Sequence, residues 1–254
     1  MPRILILGGT AEARLLAGRL TKRAGLEVTL SLAGRTASPA AQPAPIRVGG
    51  FGGIAGLADY LMKKRIDALI DATHPYAGVI SANAAAAAHR TDVPLIALRR
   101  PPWIAIKGDR WTEVGKVGEA VRALGEQPRR VFVTLGRNEL SPFVAAPQHH
   151  YLFRSVDPID PPLAVPHATY ITGRGPFAEA QDRALMTQHR IEVVIGKNSG
   201  GSATYSKIAA ARALGIGVVM LRRPPAPAAP TVESVEEAVA LLDHALTSAM
   251  VRGV

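Results

Sequence analysis

The densest polar stretch of the sequence is GKNSGGSATYSK, Gly196 to Lys207. Lys197, Asn198, Ser199, Gly200 and Gly201 stand just ahead of a helical pattern, an order that suits an anion. Glycines let backbone N–H groups come close, a helix start presents more of them, and the ammonium adds charge. The anion is a phosphate or a carboxylate, and an ordinary capped turn has the same outline. Tyr205 and Lys207 close the stretch, and Lys197 and Lys207 are each able to pair with an acid group. LGRNEL and TGRGPF add Arg137 and Arg174, whose guanidinium forks match carboxylates in bidentate fashion. A second group lies near the start. Gly8, Gly9, Thr10 and Ala11, in ILGGTAEARLLA, follow an apolar run and open a helical one, a turn able to carry phosphate although it is not GxGxxG. Arg35, in LAGRTAS, brings a guanidinium and hydroxyls to the place where NAD-binding folds put a carboxylate, which favours the 2′-phosphate of NADP. DATHPYAG, Asp71 to Gly78, supplies Thr73, His74 and Tyr76; the imidazole donates or relays a proton, and the phenol donates or stacks.

These groups need a scaffold that brings them to strand ends, and the chain carries it twice. LRRPP occurs at Leu98 to Pro102 and again at Leu221 to Pro225. Lys64 to Ala87 lies over His189 to Arg212 without a gap, with Ser81 on Ser206. Arg3 to Glu12 lies over Arg130 to Glu139, with Gly9 on Gly136 and Glu12 on Glu139, and VGEAV at Val117 resembles VEEAV at Val235. In each half, short runs rich in Val, Ile and Leu alternate with helical patterns. Continuous apolar strands mean burial on both faces, hence a parallel sheet covered by helices. The expected fold is α/β: two Rossmann-like, doubly wound parallel-sheet domains related by internal duplication, 1–110 and 111–254. In such sheets ligands bind beyond the carboxyl ends of the strands, where every group named above falls. Loops are expected at Thr36 to Pro45, Asp157 to Pro166 and Pro224 to Pro230. Tyr60 and Lys64 have the Tyr-x-x-x-Lys spacing of short-chain dehydrogenases, but YLMKK reads as the solvated flank of a helix.

Hydrophobic residues are 48% of the chain and aromatics 5%, so the cores are aliphatic. There is no cysteine, which excludes disulfides, thiolate metal sites and a cysteine nucleophile and suits a reducing cytoplasm. No metal site is expected. The first apolar run is too short for a signal peptide, and no apolar stretch reaches membrane-spanning length. Lys plus Arg is 30 against 20 for Asp plus Glu, a net charge of +10. That excess attracts a polyanion. A nucleic acid is the weaker choice, because stacking aromatics do not interleave with the basic residues and no recognition helix stands out.

ILGGTAEARLLA, DATHPYAGVISANA, TLGRNEL, GRGPF and KNSGGSATYSKIAAARALGIGVVMLRRP together resemble the precorrin-6A reductases of cobalamin biosynthesis, including the cobalt-precorrin form. The likeness runs from the first strand to near residue 225. It implies a cytoplasmic enzyme that uses NADPH to reduce one double bond of a polycarboxylate tetrapyrrole, giving precorrin-6B. The first half then takes NADPH through Gly8, Gly9, Thr10, Ala11, Arg35, Thr73 and His74. The second takes the macrocycle through Arg137, Arg174, Lys197, Asn198, Ser199, Gly200, Gly201, Tyr205 and Lys207. The proton comes from His74, Tyr76, Tyr205 or solvent, with His74 the first choice. Expected partners are the substrate and, by channelling, neighbouring enzymes of the pathway, with the protein a monomer or small homo-oligomer. The competing reading is another NADP-dependent reductase or an epimerase acting on a smaller substrate.

Overall fold

The computed structural model describes residues 1–34 and 41–252. The chain runs β1 (Arg3–Leu7), α1 (Ala11–Leu20), β2 (Glu27–Leu32), β3 (Ile46–Val48), α2 (Gly53–Lys63), β4 (Ala68–Asp71), α3 (Gly78–Thr91) and β5 (Leu95–Leu98). It continues with β6 (Trp111–Val114), α4 (Val117–Ala123), β7 (Arg130–Val133), 3-10 turns at Arg137–Glu139 and Ser141–Ala145, β8 (His150–Ser155) and β9 (Ala168–Thr172). Then follow α5 (Glu179–Gln188), β10 (Val193–Lys197), α6 (Ser206–Ala213), β11 (Gly217–Leu221), β12 (Thr231–Val232) and α7 (Val235–Arg252).

The strands form two six-stranded sheets, ordered β12-β5-β4-β1-β2-β3 and β6-β11-β10-β7-β8-β9. Every pairing is parallel. Both orders are the doubly wound one, with the direction of winding reversing between β1 and β4 and between β7 and β10. The expected fold class and its duplication are therefore present.

The domain boundary differs from the one expected at 110/111. One unit is Met1–Pro101 together with Pro224–Val254, and the other is Pro102–Arg223. The duplicated LRRPP explains why. One copy ends β5 and the other ends β11, and each leads the chain out of its unit. After the first copy the chain enters the second unit by laying β6 against β11, with Trp111 opposite Val218, before it forms β7. After the second copy it returns to lay β12 against β5, with Thr231 opposite Ala97. The recurring VGEAV and VEEAV segments are the helices that follow these two edge strands, α4 and α7. Divided at the repeat, before Arg130, each copy of the duplicated sequence thus places its last strand in the other copy's sheet.

Helices cover both faces, as continuous apolar strands require. In the first unit Leu16 and Leu20 of α1 meet Ala238 and Leu242 of α7 over Ile4, Ile6 and Ile70. On the opposite face Leu57 and Leu61 of α2 and Ala84, Ala87 and Ala88 of α3 cover Leu5, Leu7 and Leu69. Alternate strand residues point to opposite faces, which is why Ile4 and Leu5 enter different cores. In the second unit Met186 of α5 and Ile208, Ala210 and Ala211 of α6 cover Phe132, Leu152 and Val194. Phe143, fully buried, packs edge-on against Tyr151 and Phe153. Among the described residues no helix is long and apolar enough to cross a membrane.

Candidate active site

At the end of β1 the chain must turn sharply into α1. A Cβ on Gly8 would lie 2.6 Å from Leu30 Cδ1, and Gly9 has φ +116°, a conformation that disfavours any residue with a side chain. Thr10 then caps α1. Its Oγ1 accepts from Ala13 N at 3.1 Å and donates to Ala72 O at 2.8 Å, which ties this turn to the end of β4. The hydroxyl is therefore engaged within the protein. What the turn offers a ligand is backbone: the N–H groups of Ala11 and Glu12 have no partner inside the helix. Around them lies a small crevice lined by Thr10, Glu12, Thr73, Pro75, Leu98, Arg99 and Arg100. The tight turn and the glycine at positive φ suit a diphosphate, while the two arginines of the lining are paired, Arg99 with Asp71 and Arg100 with Glu12. Arg35 lies outside the described residues.

The end of β4 is built on a buried charge. Asp71 has no exposed surface and is paired with Arg99, and its Oδ1 accepts from Thr73 N and Thr73 Oγ1 at 3.1 and 2.7 Å. Arg99 also donates to the carbonyls of Asp71 and Thr73, at 3.0 and 3.1 Å, and to Ser81 Oγ at 2.7 Å. One guanidinium thus holds strand end, loop and first turn of α3. Thr73 is buried with its hydroxyl turned to Asp71. The next residue, His74, is half-buried. Its Nδ1 accepts from Tyr76 N at 3.3 Å, which places the proton of the neutral ring on Nε2. The Tyr76 ring lies 5.7 Å away, tilted by 39°.

In the second unit, the 3-10 turn after β7 carries Arg137, exposed, and Glu139, whose Oε2 accepts from Gly136 N at 3.2 Å and pairs with Lys197. Lys197 ends β10, so the pair spans the point where the winding reverses. Arg174 follows β9, two strands from β7 and hence about 10 Å farther along the sheet edge. Gly200 and Gly201 are both left-handed, at φ +68° and +69°, which only glycine adopts readily in succession. Ser199 is buried beside them.

Three of the expected substrate contacts prove to be engaged inside the unit. The Asn198 amide accepts from Trp103 N at 2.7 Å and donates to Trp103 O at 2.8 Å, while its carbonyl accepts from Arg223 Nε at 2.7 Å. It fastens the incoming chain. The Tyr205 hydroxyl accepts from Arg212, and its ring meets Trp103 edge-on at 5.5 Å. Lys207 is only 4% exposed, with Nζ donating to Thr204 O at 2.8 Å and lying 5.1 Å from the Trp103 ring. Burial, and next the Arg154 charge, push its ammonium down to about 7 against an opposing pull from Asp182. Among the described residues no three His, Cys, Asp or Glu side chains could hold a metal together.

The precorrin-6x reductase CbiJ/CobK family matches residues 3–243. A precorrin-6A reductase of Sinorhizobium sp is 55% identical over 98% of this chain and 95% of its own length. The chain belongs to the precorrin-6x reductase family. The precorrin-6A reductase of Rhodobacter capsulatus is 48% identical over 97% of the chain and 98% of its own length. A solved structure described as CobK precorrin-6A reductase superimposes with a TM-score of 0.92 at 47% identity, covering 96% of this chain and 97% of that one.

In this precorrin-6x reductase family member, sequence reading passed over Arg99 and Asp71, and over a second buried pair in the other unit, Arg154 and Asp182, which the duplication does not align with them. There Ser206, which matches Ser81, donates to Asp182 Oδ2 at 2.6 Å, and Arg154 holds Asp182 Oδ1 at 2.5 Å. A signal existed: an aspartate ending the run ALID is a charge inside an apolar strand, and such a charge requires a partner. For Lys207 too the sequence held a clue, since Ala210 and Ala211 at i+3 and i+4 give it an apolar helix face. Because its folded pKa of about 7 lies below the ordinary value of 10.5, the unfolded chain binds the extra proton between these limits. Stability contributed by this group is therefore lowest below about pH 7 and rises toward pH 10.5. The Lys207→Met protein is expected to be at least as stable as the parent at pH 7, and the parent to gain on it steadily up to pH 10. Urea melts of both proteins across that range check this; parallel stability curves would show that the lysine is not held neutral by the fold.

Proposed function

We propose that this chain is the NADPH-dependent oxidoreductase that converts precorrin-6A to precorrin-6B in cobalamin biosynthesis. The observation that carries the reading is the full-length likeness to precorrin-6A reductases, 55% identity over 98% of the chain. The crevice of the first unit supports the cofactor assignment. Backbone at Gly8, Gly9, Thr10 and Ala11 would hold the diphosphate, Arg35 the 2′-phosphate, and the loop at Thr73 and His74 the end nearer the chemistry. NADPH bound there supplies the hydride. The substrate carries acetate and propionate arms, and the second unit offers Arg137, Arg174 and Lys197 to them, with Ser199, Gly200 and Gly201 shaping the loop. The net charge of +10 draws such a polyanion in, within a screening distance of about 8 Å at physiological salt.

The protein's main task in a hydride transfer is register, because holding two reactants in place supplies about 7–11 kcal/mol. His74 keeps a proton on Nε2 for the carbon beside the one reduced, with Tyr76 N–H fixing the ring from behind. The absence of cysteine suits a cytoplasmic setting. Incubation with precorrin-6A and NADPH carrying deuterium at both C4 positions, in ordinary water, is expected to give a product one deuterium heavier by mass spectrometry. An unlabelled product would exclude direct hydride transfer.

A further inference from the structure

The duplication sets Glu12 and Glu139 at matching stations, in the first turns after β1 and β7. Both occupy the point where the winding reverses, the place a doubly wound sheet reserves for ligand. Each faces a cation. Arg100 Nη1 lies 2.8 Å from Glu12 Oε2, and Lys197 Nζ pairs with Glu139 Oε2. These cations are not counterparts of one another. Arg100 follows β5, whereas Lys197 ends β10. The two units have thus kept a carboxylate at the same station while drawing its partner from different strands.

Neither pair resembles the buried ones that hold each unit together. Asp71 is wholly buried, and Arg154 and Asp182 are nearly so. The side chains of Arg100 and Glu12 keep 15% and 25% of their surface, and those of Lys197 and Glu139 keep 17% and 32%. Each pair thus keeps some surface open to solvent, where an incoming anionic group can reach the cation, as the buried pairs do not. Glu12 also stands among the first-turn N–H groups of α1, where an incoming phosphate would bind, so it competes with one.

We propose that Glu12 and Glu139 are matched carboxylate latches, each holding the crevice cation of its unit until the anionic group of a ligand displaces it. In the first unit the displacing group is the cofactor's phosphate, and in the second it is a carboxylate of the tetrapyrrole. This rests on the assignment of NADPH to the first unit and substrate to the second. The latches set a threshold: a small monoanion cannot compete with the resident carboxylate, whereas a ligand that brings several anionic groups can. They are specificity-determining residues that oppose binding, and their removal should tighten it.

The test compares Glu12→Gln, Glu139→Gln, Arg100→Met and Lys197→Met in the whole protein. Glutamine keeps an oxygen for the Gly136 N–H and preserves the turn. Glu139→Gln is expected to lower KM for precorrin-6A about fivefold without moving the Kd for NADPH, as loss of one weak competing pair predicts. Glu12→Gln should lower the Kd for NADPH by a similar factor, read from nicotinamide fluorescence, without moving KM for precorrin-6A. Both variants should also become sensitive to inhibition by acetate or inorganic phosphate. Unchanged or weaker binding in the two glutamine variants, with binding lost in the two methionine variants, overturns the latches and leaves the site assignment standing. Unchanged NADPH binding in Arg100→Met overturns the first latch, and an unchanged KM for precorrin-6A in Lys197→Met overturns the second together with the assignment of Lys197 to the substrate. A merely structural role would lower Tm in the glutamine variants without tightening either ligand.

Discussion

Expressed alone, residues 102–223 are expected to fold cooperatively, and residues 1–110 are expected not to. The first fragment carries all six strands of its sheet, β6 to β11, and the helices α4, α5 and α6 that cover them. The second lacks β12 and α7. Without α7, Leu16, Leu20 and Ile70 lose Ala238 and Leu242, both fully buried, and the partly buried Val235, Val239, Leu241 and Leu246. That burial is worth about 5–10 kcal/mol at the usual value per apolar side chain. A domain of this size has a margin of only about 5–15 kcal/mol, so its loss removes most or all of the stability. Joining 224–254 directly after Pro101 restores the missing strand and helix, and this chain should fold as the intact first unit does. Circular dichroism and urea melts of the three chains decide the matter. A cooperative transition in 1–110, or its absence in 102–223, would mean that the edge strands and α7 contribute far less than their burial implies.

The same reciprocal exchange marks where sequence reading stops. The apolar runs, their glycine and arginine endings and the repeated LRRPP are local patterns, and they indicated two doubly wound sheets. Nothing local says which sheet a two-residue strand such as Thr231–Val232 will join, because its partner Ala97 is more than a hundred residues away. The boundary was accordingly expected at 110/111, between the two halves of a simple tandem repeat. The site shows a similar division. Gly9 stands at positive φ in its turn and Lys197 closes an apolar strand, both places marked by local pattern. Asn198 was read as a ligand contact, yet its amide matches the backbone of Trp103, a distant pairing that composition cannot reveal. Arg99 and Arg100 are adjacent, identical in type and almost equally buried, but one pairs with the wholly buried Asp71 and the other with the partly exposed Glu12. Only the partner each side chain reaches tells them apart.

Arg99→Met is expected to be the most damaging single substitution in the first unit. It leaves Asp71, with no exposed surface, without its counter-charge, and breaking a buried pair from one side costs about 3–5 kcal/mol. The loss is not confined to the pair. The Thr73 carbonyl and Ser81 Oγ lose their donor, so the loop bearing His74 and the first turn of α3 are released together. Arg99→Lys keeps the charge but has one nitrogen in place of a fork and cannot reach Asp71, Thr73 and Ser81 at once. It should retain more of the stability than methionine does while still losing kcat, because the charge is answered and the loop is not. Asp71→Asn combined with Arg99→Met removes both charges and should recover part of the stability lost by Arg99→Met alone, without recovering kcat. The expected separation, stability following charge and turnover following the fork, is read from urea melts and kcat of the four proteins. Full turnover in Arg99→Lys would show that the loop holds its own conformation and that Arg99 serves only to neutralise Asp71.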